Sequence, residues 1–203
     1  SSWNSWSEQS LHIGNYYGAI EEFIHLKGEK QFLVADSSTL SGPDSSLDTI
    51  NIIRSAAAYY ALGVLWDNGY MYLQSWSKNN KYFYELYTLL NSCTSVEDII
   101  KELERRKTIE GRKYNINKLD CLDFSYPNHM AADIILANPD EIPVWESNRW
   151  NIEYAQSLIT KLNARMPEGS EPLHIPKIIL SQYPDRQNIL WTCGTWVKMS
   201  KSD

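Results

Sequence analysis

The sequence has few cysteines and no long apolar run, and its first residues, SSWNSWSEQS, lack the basic region and apolar core of a signal peptide; each absence argues against a class of protein. Cys93, Cys121 and Cys193 lie far apart, without the CxxC or Cys/His spacing of a zinc site or a disulfide framework. We expect all three to be reduced, buried thiols. No apolar run approaches the roughly 20 residues that a membrane span needs. We therefore expect a cytoplasmic protein without a membrane segment.

The chain also lacks the excess positive charge that is typical of extensive nucleic-acid binding. Its formal net charge is −6. Basic residues cluster only at 101–113 and at Lys198 with Lys201. Because glutamates are interspersed in the first cluster, we interpret it as a solvated helix face with i,i+4 ion pairs, with an RNA contact as the alternative. The charge argues mildly against extensive RNA binding.

Short apolar runs alternate with amphipathic stretches along the 203 residues, which suffice for one full-sized core. We predict strands at 31–35, 70–74, 142–145 and 177–180. We predict helices at 11–26 (after a turn), 47–65, 82–90, 96–107, 129–136 and 151–163. Thr94 and Ser95 would cap the fourth helix, and 41–46 and 111–124 would be loops. This alternation predicts an α/β fold with a parallel sheet, in which ligands bind at the carboxyl ends of the strands.

A short segment near the amino terminus combines an imidazole, an amide and two glycines at a loop-to-helix junction. It reads His12-Ile13-Gly14-Asn15 and is followed by Gly18. Glycines allow a backbone to approach a phosphate at a helix N-terminus, and the two polar side chains can donate to phosphate oxygens. Taken alone, the segment is equally consistent with an ordinary capped helix start.

The carboxyl terminus contains two lysines three residues apart, in Lys198-Met199-Ser200-Lys201. Such a cationic loop suits a polyphosphate, and a solvated basic tail is the alternative. Together with the amino-terminal segment, it resembles the paired HIGH and KMSKS motifs of class I aminoacyl-tRNA synthetases, in the same order.

Residues 124–136, FSYPNHMAADIIL, resemble the YPxxMAADIL helix of the tryptophanyl-tRNA synthetase family. In that family the aspartate accepts the indole N–H, and the methionine and tyrosine form walls around the ring. The resemblance gives these roles to Asp133, Met130 and Tyr126. These roles match the chemistry of indole, which has one hydrogen-bond donor and no acceptor and therefore needs one fixed acceptor in an apolar pocket. An amphipathic helix with a surface aspartate is the alternative.

Other segments extend the resemblance over nearly all of residues 11–203. FLVADSSTL resembles the family's second strand, with Asp36 as its aspartate, and LNSCTSVEDIIKELER resembles its LNCVTPLGELER stretch. PVWESN stands where the family has PVGEDQ. By resemblance, Asp36, Val144 and Asn148 join the substrate-binding residues.

Four features depart from the family pattern. The GxxPTG turn that precedes the HIGH-like motif is replaced by WNSWSEQS, and the histidine that often follows the second-strand aspartate is missing. Trp145 stands in place of a glycine, and Ser147-Asn148 in place of Asp-Gln. A tryptophan does not fit a site built around glycine without rearrangement, so the pocket is either reshaped or impaired in nucleotide binding. The chain ends just after the KMSKS-like motif, and we expect the anticodon-binding domain to be absent.

The resemblance implies one Rossmann-like catalytic domain over residues 1–203, a parallel sheet with flanking helices and a helical insertion at about 78–120. It implies ATP-dependent activation of tryptophan, or a related aromatic amino acid, and transfer of the product to tRNA. Members of the family are homodimers, so it also implies a homodimer. A paralogue that charges a non-tRNA acceptor and a non-catalytic ligand-binding relative are the alternatives.

The resemblance also assigns residues to ATP. His12 and Asn15 would contact the phosphates near the α-position, and Lys198 and Lys201 would draw off pyrophosphate. Mg²⁺ would bridge the β- and γ-oxygens. The remaining nucleotide-binding residues would be Gly14, Gly18, Met199 and Ser200.

Overall fold

The computed structural model describes residues 2–4, 16–34, 49–64, 69–76, 80–110, 121–144 and 146–180. The strands in these ranges are β1 (Ser2–Asn4), β2 (Lys30–Val34), β3 (Gly69–Leu73), β4 (Glu141–Val144) and β5 (Lys177–Leu180). The helices are α1 (Glu21–His25), α2 (Thr49–Ala61), α3 (Asn80–Cys93), α4 (Val96–Glu110), α5 (Cys121–Ala137) and α6 (Arg149–Asn163). A π-helical turn, Tyr16–Ile20, leads into α1, and 3-10 turns follow β3 (Gln74–Trp76) and precede α6 (Glu146–Asn148).

All strand pairs in the described part of the chain are parallel. β2 lies between β1 and β3, so that Phe32 is in register with Ser2 on one side and Met71 on the other. β4 pairs with β5 from Glu141↔Lys177 onward. The described strands form two hydrogen-bonded sheets, β3-β2-β1 and β4-β5, and β1 lies against β4. In a doubly wound α/β fold the connections reverse at such a junction, and ligands bind near that point.

The first core packs α1 and α2 against the three-stranded side of the sheet. Phe32, Leu33 and Val34 are all buried, as expected for a strand that is covered on both faces. The Phe32 ring contacts Phe23 of α1 and Tyr59 of α2, with centroids 5.9 and 4.2 Å apart. The apolar run in β2 therefore folds as predicted because both of its faces are buried.

The second core joins α3, α5 and α6 to β4. Ala131 and Ala132 of α5 are completely buried, and their small side chains let the neighbouring helices approach closely. Asn138, whose φ is +44°, ends α5, and its N–H donates to the carbonyl of Ile134 at 3.1 Å. The helix thus ends just before β4 enters the sheet.

The predicted cap of the fourth helix is confirmed at Ser95, whereas the Thr94 hydroxyl donates to the Leu90 carbonyl of α3. The Ser95 hydroxyl accepts from the Asp98 N–H at 3.1 Å, and the Asp98 carboxylate accepts from the Ser95 N–H at 3.2 Å, which is a reciprocal capping box. Lys161 of α6 donates to Asp98 at 3.1 Å and lowers the pKa of that carboxyl. In the same helix, exposed Lys101 pairs with Glu97 at 2.7 Å, as expected of a solvated face.

Two predictions about elements are wrong. Residues 121–124, predicted as a loop, form the first turn of α5, whose start was predicted after Pro127. That proline is buried inside the helix, so packing compensates for its missing N–H donor. Strand β1 was not predicted, because Ser-Trp-Asn contains no apolar run and is a strand only through its pairing with β2.

Of the cysteines, Cys93 is free and buried as expected, whereas Cys121 is free but exposed, because it begins α5 at the surface. Cys193 lies outside the described residues. Among the helices that the structure describes, none is both long enough and apolar enough to span a membrane.

Candidate functional site

One face of α5 carries the three residues that resemble an indole pocket. Tyr126, Met130 and Asp133 are spaced by four and three positions, which places them on the same side of the helix. Met130 is 6% exposed and Asp133 only 7%, and Tyr126 packs, partly buried, against the same core. The interpretation of Asp133 as a surface residue is therefore wrong. Its carboxylate is a buried acceptor beside apolar side chains.

Gln74, at the carboxyl end of β3, binds this carboxylate. Its Nε2 donates to Asp133 Oδ2 at 2.5 Å, and its side chain is 4% exposed. Gln74 opens the 3-10 turn that directly follows β3, so the chain positions the amide where ligands are expected in a parallel sheet. A charge-assisted hydrogen bond of this kind fixes the orientation of the carboxylate.

His129 lies one helical turn before Asp133, and its Nδ1 is 3.8 Å from Asp133 Oδ2. The imidazole packs edge-on against Phe83, at 4.6 Å between centroids, and against Tyr87. Burial lowers the pKa of His129, so the ring is neutral at neutral pH and forms no ion pair with Asp133 there.

Tyr72 of β3 lies within electrostatic range of the same carboxylate. Burial, the neighbouring Tyr70 and the charge of Asp133, in that order, raise the pKa of Tyr72 to about 12. Its phenol therefore remains protonated throughout the neutral range. The site consequently combines one carboxylate with neutral aromatic and polar groups.

A buried hydrogen-bond network holds α5 in place behind this face. Asn128, which is fully buried, donates through Nδ2 to Asn91 Oδ1 of α3 at 2.8 Å. The hydroxyl of Tyr154 in α6 donates to Asn128 Oδ1 at 2.6 Å. Burial raises the pKa of Tyr154 to about 12, so this donor is retained at neutral pH. The network, which is centred on Asn128, fixes α3, α5 and α6 relative to each other. Asn128 lies two residues before Met130, so the network also holds the site face of α5 in place.

The structure places three further predicted residues around β4. Val144, the last residue of that strand, is buried in the same core as Met130. Asn148 is exposed at the end of the 3-10 turn that precedes α6. The turn that contains Gly18 packs against β4. Val144 ends β4 and Asn148 follows it within four residues, so these two lie at the carboxyl end of the strand.

The other predicted site residues lie outside the described residues, so their predicted roles stay predictions. They are His12, Gly14, Asn15, Asp36, Lys198, Met199, Ser200 and Lys201, together with the divergent Trp145.

Sequence reasoning missed two residues at the site, Gln74 and His129. Gln74 was assigned to the end of a strand and given no role. A polar residue directly after a buried parallel strand is a usable signal, because such positions open onto the ligand-binding edge. His129 was included in the helix motif, and only the fold shows that it lies beside Asp133.

The parallel strand pairs and the helices packed against them define a Rossmann-like α/β domain. Comparison with known proteins identifies the family. Residues 8–203 match the family of "tRNA synthetases class I (W and Y)", and the chain belongs to it.

Curated relatives include the tryptophan–tRNA ligases of Oceanobacillus iheyensis, 30% identical over 203 residues, and of Rickettsia conorii, 31% identical over 199 residues. Both alignments cover 96% of this chain but 57% of the relative. The chain therefore spans little more than half the length of the curated relatives it matches.

Solved structures agree with this assignment. Tryptophanyl-tRNA synthetase from Campylobacter jejuni superposes with a TM-score of 0.70 at 26% identity, covering 99% of this chain and 58% of that one. The same enzyme complexed with ADP and tryptophan gives 0.68 at 28% identity, with 96% and 58% coverage. The Mycoplasma pneumoniae enzyme, at 20% identity, shares the fold with a TM-score of 0.74, covering 96% of this chain and 56% of that one.

Proposed function

We propose that this chain carries the amino-acid- and ATP-binding part of a tryptophan–tRNA ligase. It would activate tryptophan with ATP to tryptophanyl-adenylate and transfer the aminoacyl group to tRNA(Trp). The observation that carries the proposal is the buried carboxylate of Asp133 on an apolar helix face, oriented by Gln74. The named relatives and the complex of the Campylobacter jejuni enzyme with ADP and tryptophan support the same reaction.

In this proposal the indole ring lies against Met130 and Tyr126 and donates its N–H to Asp133. Val144 and Asn148, together with Asp36, complete the amino-acid site. A fixed acceptor in a dry site discriminates strongly, because a ring without a donor forfeits the hydrogen bond to the buried carboxylate. Phenylalanine, which has no ring donor, would be rejected on this ground.

ATP would bind beyond the carboxyl ends of β1 and β4. His12 and Asn15 would contact the α-phosphate region, beside the backbone of Gly14 and Gly18. Lys198 and Lys201, with the loop residues Met199 and Ser200 between them, would stabilise the departing pyrophosphate. Mg²⁺ would enter with the nucleotide and would neutralise part of the phosphate charge. Among the described residues, no group of three or more His, Cys, Asp and Glu side chains is arranged to hold a metal.

The chemistry of activation needs no general base. The ionised carboxylate of tryptophan attacks the α-phosphorus, an O–P bond forms, and the bond to the pyrophosphate oxygen breaks. Catalysis is therefore positioning of the carboxylate plus stabilisation of charge on the phosphates. The protein side chains bind and orient the reactants and do not accept a proton in this step.

Assembly and domain roles belong to the same proposal. A single catalytic domain over residues 1–203 would include a helical insertion at about 78–120, where α3 and α4 lie. The chain would act as a homodimer in the cytoplasm, with tRNA as its macromolecular substrate.

The test is amino-acid-dependent exchange of labelled pyrophosphate into ATP, measured with each of the twenty amino acids. Exchange with tryptophan, and with no other amino acid above background, is expected. Exchange with a different amino acid would contradict the substrate assignment. Absence of exchange with all twenty, in protein shown to be folded by circular dichroism, would contradict the proposed activation reaction.

A further inference from the structure

Only one of the two polar atoms of the Gln74 amide has a hydrogen-bond partner among the described residues. Its Nε2 donates to Asp133 Oδ2 at 2.5 Å. Its Oε1 is buried and, among the described residues, meets no hydrogen-bond donor. The side chain as a whole is only 4% exposed. Buried carbonyl oxygens in native proteins almost always accept a hydrogen bond, so an unmatched one indicates a missing partner.

The orientation of this amide follows from the charge of its neighbour. Exchanging the nitrogen and oxygen would place two acceptors, Oε1 and Asp133 Oδ2, in contact and would lose the hydrogen bond. Nε2 must therefore face the carboxylate. Since the nitrogen and oxygen of an amide are a little over 2 Å apart, Oε1 lies within about 5 Å of Oδ2.

We propose that Gln74 is a specificity-determining residue of the aromatic amino-acid site. Its Nε2 holds the Asp133 carboxylate in place, and its Oε1 is a second acceptor for the ring donor of the ligand. This inference rests on the proposed function, since it assumes that Asp133 accepts a hydrogen bond from the indole N–H of the ligand.

The ligand class that such a pair selects is an aromatic amino acid whose ring carries an N–H donor. A ring of the same shape without a donor would leave the buried Gln74 Oε1 without a hydrogen bond and would not use the acceptor that Asp133 offers. Truncation of Gln74 would remove the second acceptor and also release Asp133 from its fixed orientation. Both changes weaken the preference for a donor-bearing ring, and neither affects the apolar contacts of the ring.

The test compares the dissociation constants of tryptophan and 3-benzothienylalanine, in which sulfur replaces the indole N–H. Both are measured by calorimetry on the wild type, on Gln74→Met and on the control Gln156→Met. Gln156 is a suitable control because its amide donates to the Pro176 carbonyl and not to Asp133. In Gln74→Met we expect tryptophan to bind about tenfold more weakly, the benzothienyl analogue to bind as before, and Gln156→Met to behave as the wild type.

The outcomes separate the inference from the proposed function. If the wild type binds neither ligand, or does not prefer tryptophan, the proposed function itself fails. If the wild type prefers tryptophan and Gln74→Met keeps the same ratio of dissociation constants, Gln74 does not set specificity and the inference is overturned. An equal loss of affinity for both ligands would show a merely structural role and would also overturn it.

A second variant keeps the inference testable if Gln74→Met does not fold. Gln74→Glu retains an acceptor but places a second carboxylate against Asp133. At low pH a shared proton can bridge the two groups, whereas at higher pH both ionise and repel each other. Tryptophan affinity in this variant is therefore expected to fall as pH rises from 5 to 8, relative to the wild type. An affinity that parallels the wild type over this range would overturn the inference.

Discussion

Asp133 is a carboxylate in surroundings where a charged group is costly, and its neighbours explain how it persists. Gln74 donates to it, while the nearby imidazole of His129 is neutral at neutral pH because burial lowers its pKa. The residue is 7% exposed, so an unpaired charge at this position would be strongly unfavourable. A carboxylate has about four lone-pair sites, so a ligand donor can bind to Asp133 in addition to Gln74.

Replacement of Asp133 by alanine is therefore expected to weaken tryptophan binding by about 1–3 kcal/mol, through loss of the buried acceptor. The matched control is Asp140→Ala, since the side chain of Asp140 is 98% exposed beyond the same helix. Isothermal calorimetry on both variants measures the effect. Equal tryptophan affinity in the two variants would show that Asp133 does not bind tryptophan.

Glu102 of α4 is a second buried acid, and it has no visible ligand role. Its side chain is 9% exposed, and Oε1 has no hydrogen-bond partner within the described residues. Burial raises the pKa of Glu102; Arg105 opposes this shift and Glu153 adds to it. Because the folded-state pKa is raised, this carboxyl costs nothing below the ordinary glutamate pKa and destabilises the fold as pH rises through its folded value.

We therefore expect Glu102→Gln to raise the free energy of unfolding by roughly 0.5–1 kcal/mol at pH 7, with no gain at pH 4. Urea unfolding at both pH values measures the difference. Exposed Glu85 in α3 supplies the control, Glu85→Gln. A gain of the same size at pH 4 would show that packing, and not ionisation, is responsible.

At the scale of elements, α5 is the part of the fold on which the site depends. It contains a proline yet continues for seventeen residues, because α3 and α6 pack on both sides of it. The hydrogen bonds from Asn128 to Asn91 and from Tyr154 to Asn128 tie the three helices together. A satisfied buried polar network of this kind fixes one relative arrangement of its helices.

Tyr154→Phe should consequently lower the free energy of unfolding by about 1–2 kcal/mol, since Asn128 Oδ1 loses its donor while the ring remains. Chemical denaturation of this variant is compared with that of Tyr84→Phe, whose ring is 71% exposed. If the two variants unfold at the same denaturant concentration, the network does not stabilise the packing of α5.

At the scale of the whole molecule, the sequence predicts what is locally encoded. The apolar runs of β2, β3, β4 and β5 and the cap of α4 at Ser95 were identified correctly, because each depends on a few consecutive residues. Strand β1 was missed, since only its partner β2 makes three mixed residues a strand. The early start of α5 was missed because tertiary packing outweighs the local effect of Pro127.

The same distinction applies to the site. Asp133, Met130 and Tyr126 lie within one helix, so a motif and the helical period place them on one face. Gln74 is 59 positions from Asp133 along the chain, and only the fold brings the turn after β3 beside α5. Contacts between residues so far apart in the sequence depend on the folded arrangement, so no local sequence pattern predicts them.

The central claim is that the Asp133 carboxylate accepts the indole N–H of tryptophan, and nuclear magnetic resonance tests it most directly. Tryptophan labelled with ¹⁵N in the indole ring is added to the wild-type protein, and the indole proton is observed in the bound state. We predict a downfield shift of this proton and slowed exchange with solvent, as expected for donation to a buried carboxylate. A bound indole proton that keeps the shift and the exchange rate of free tryptophan would contradict the account.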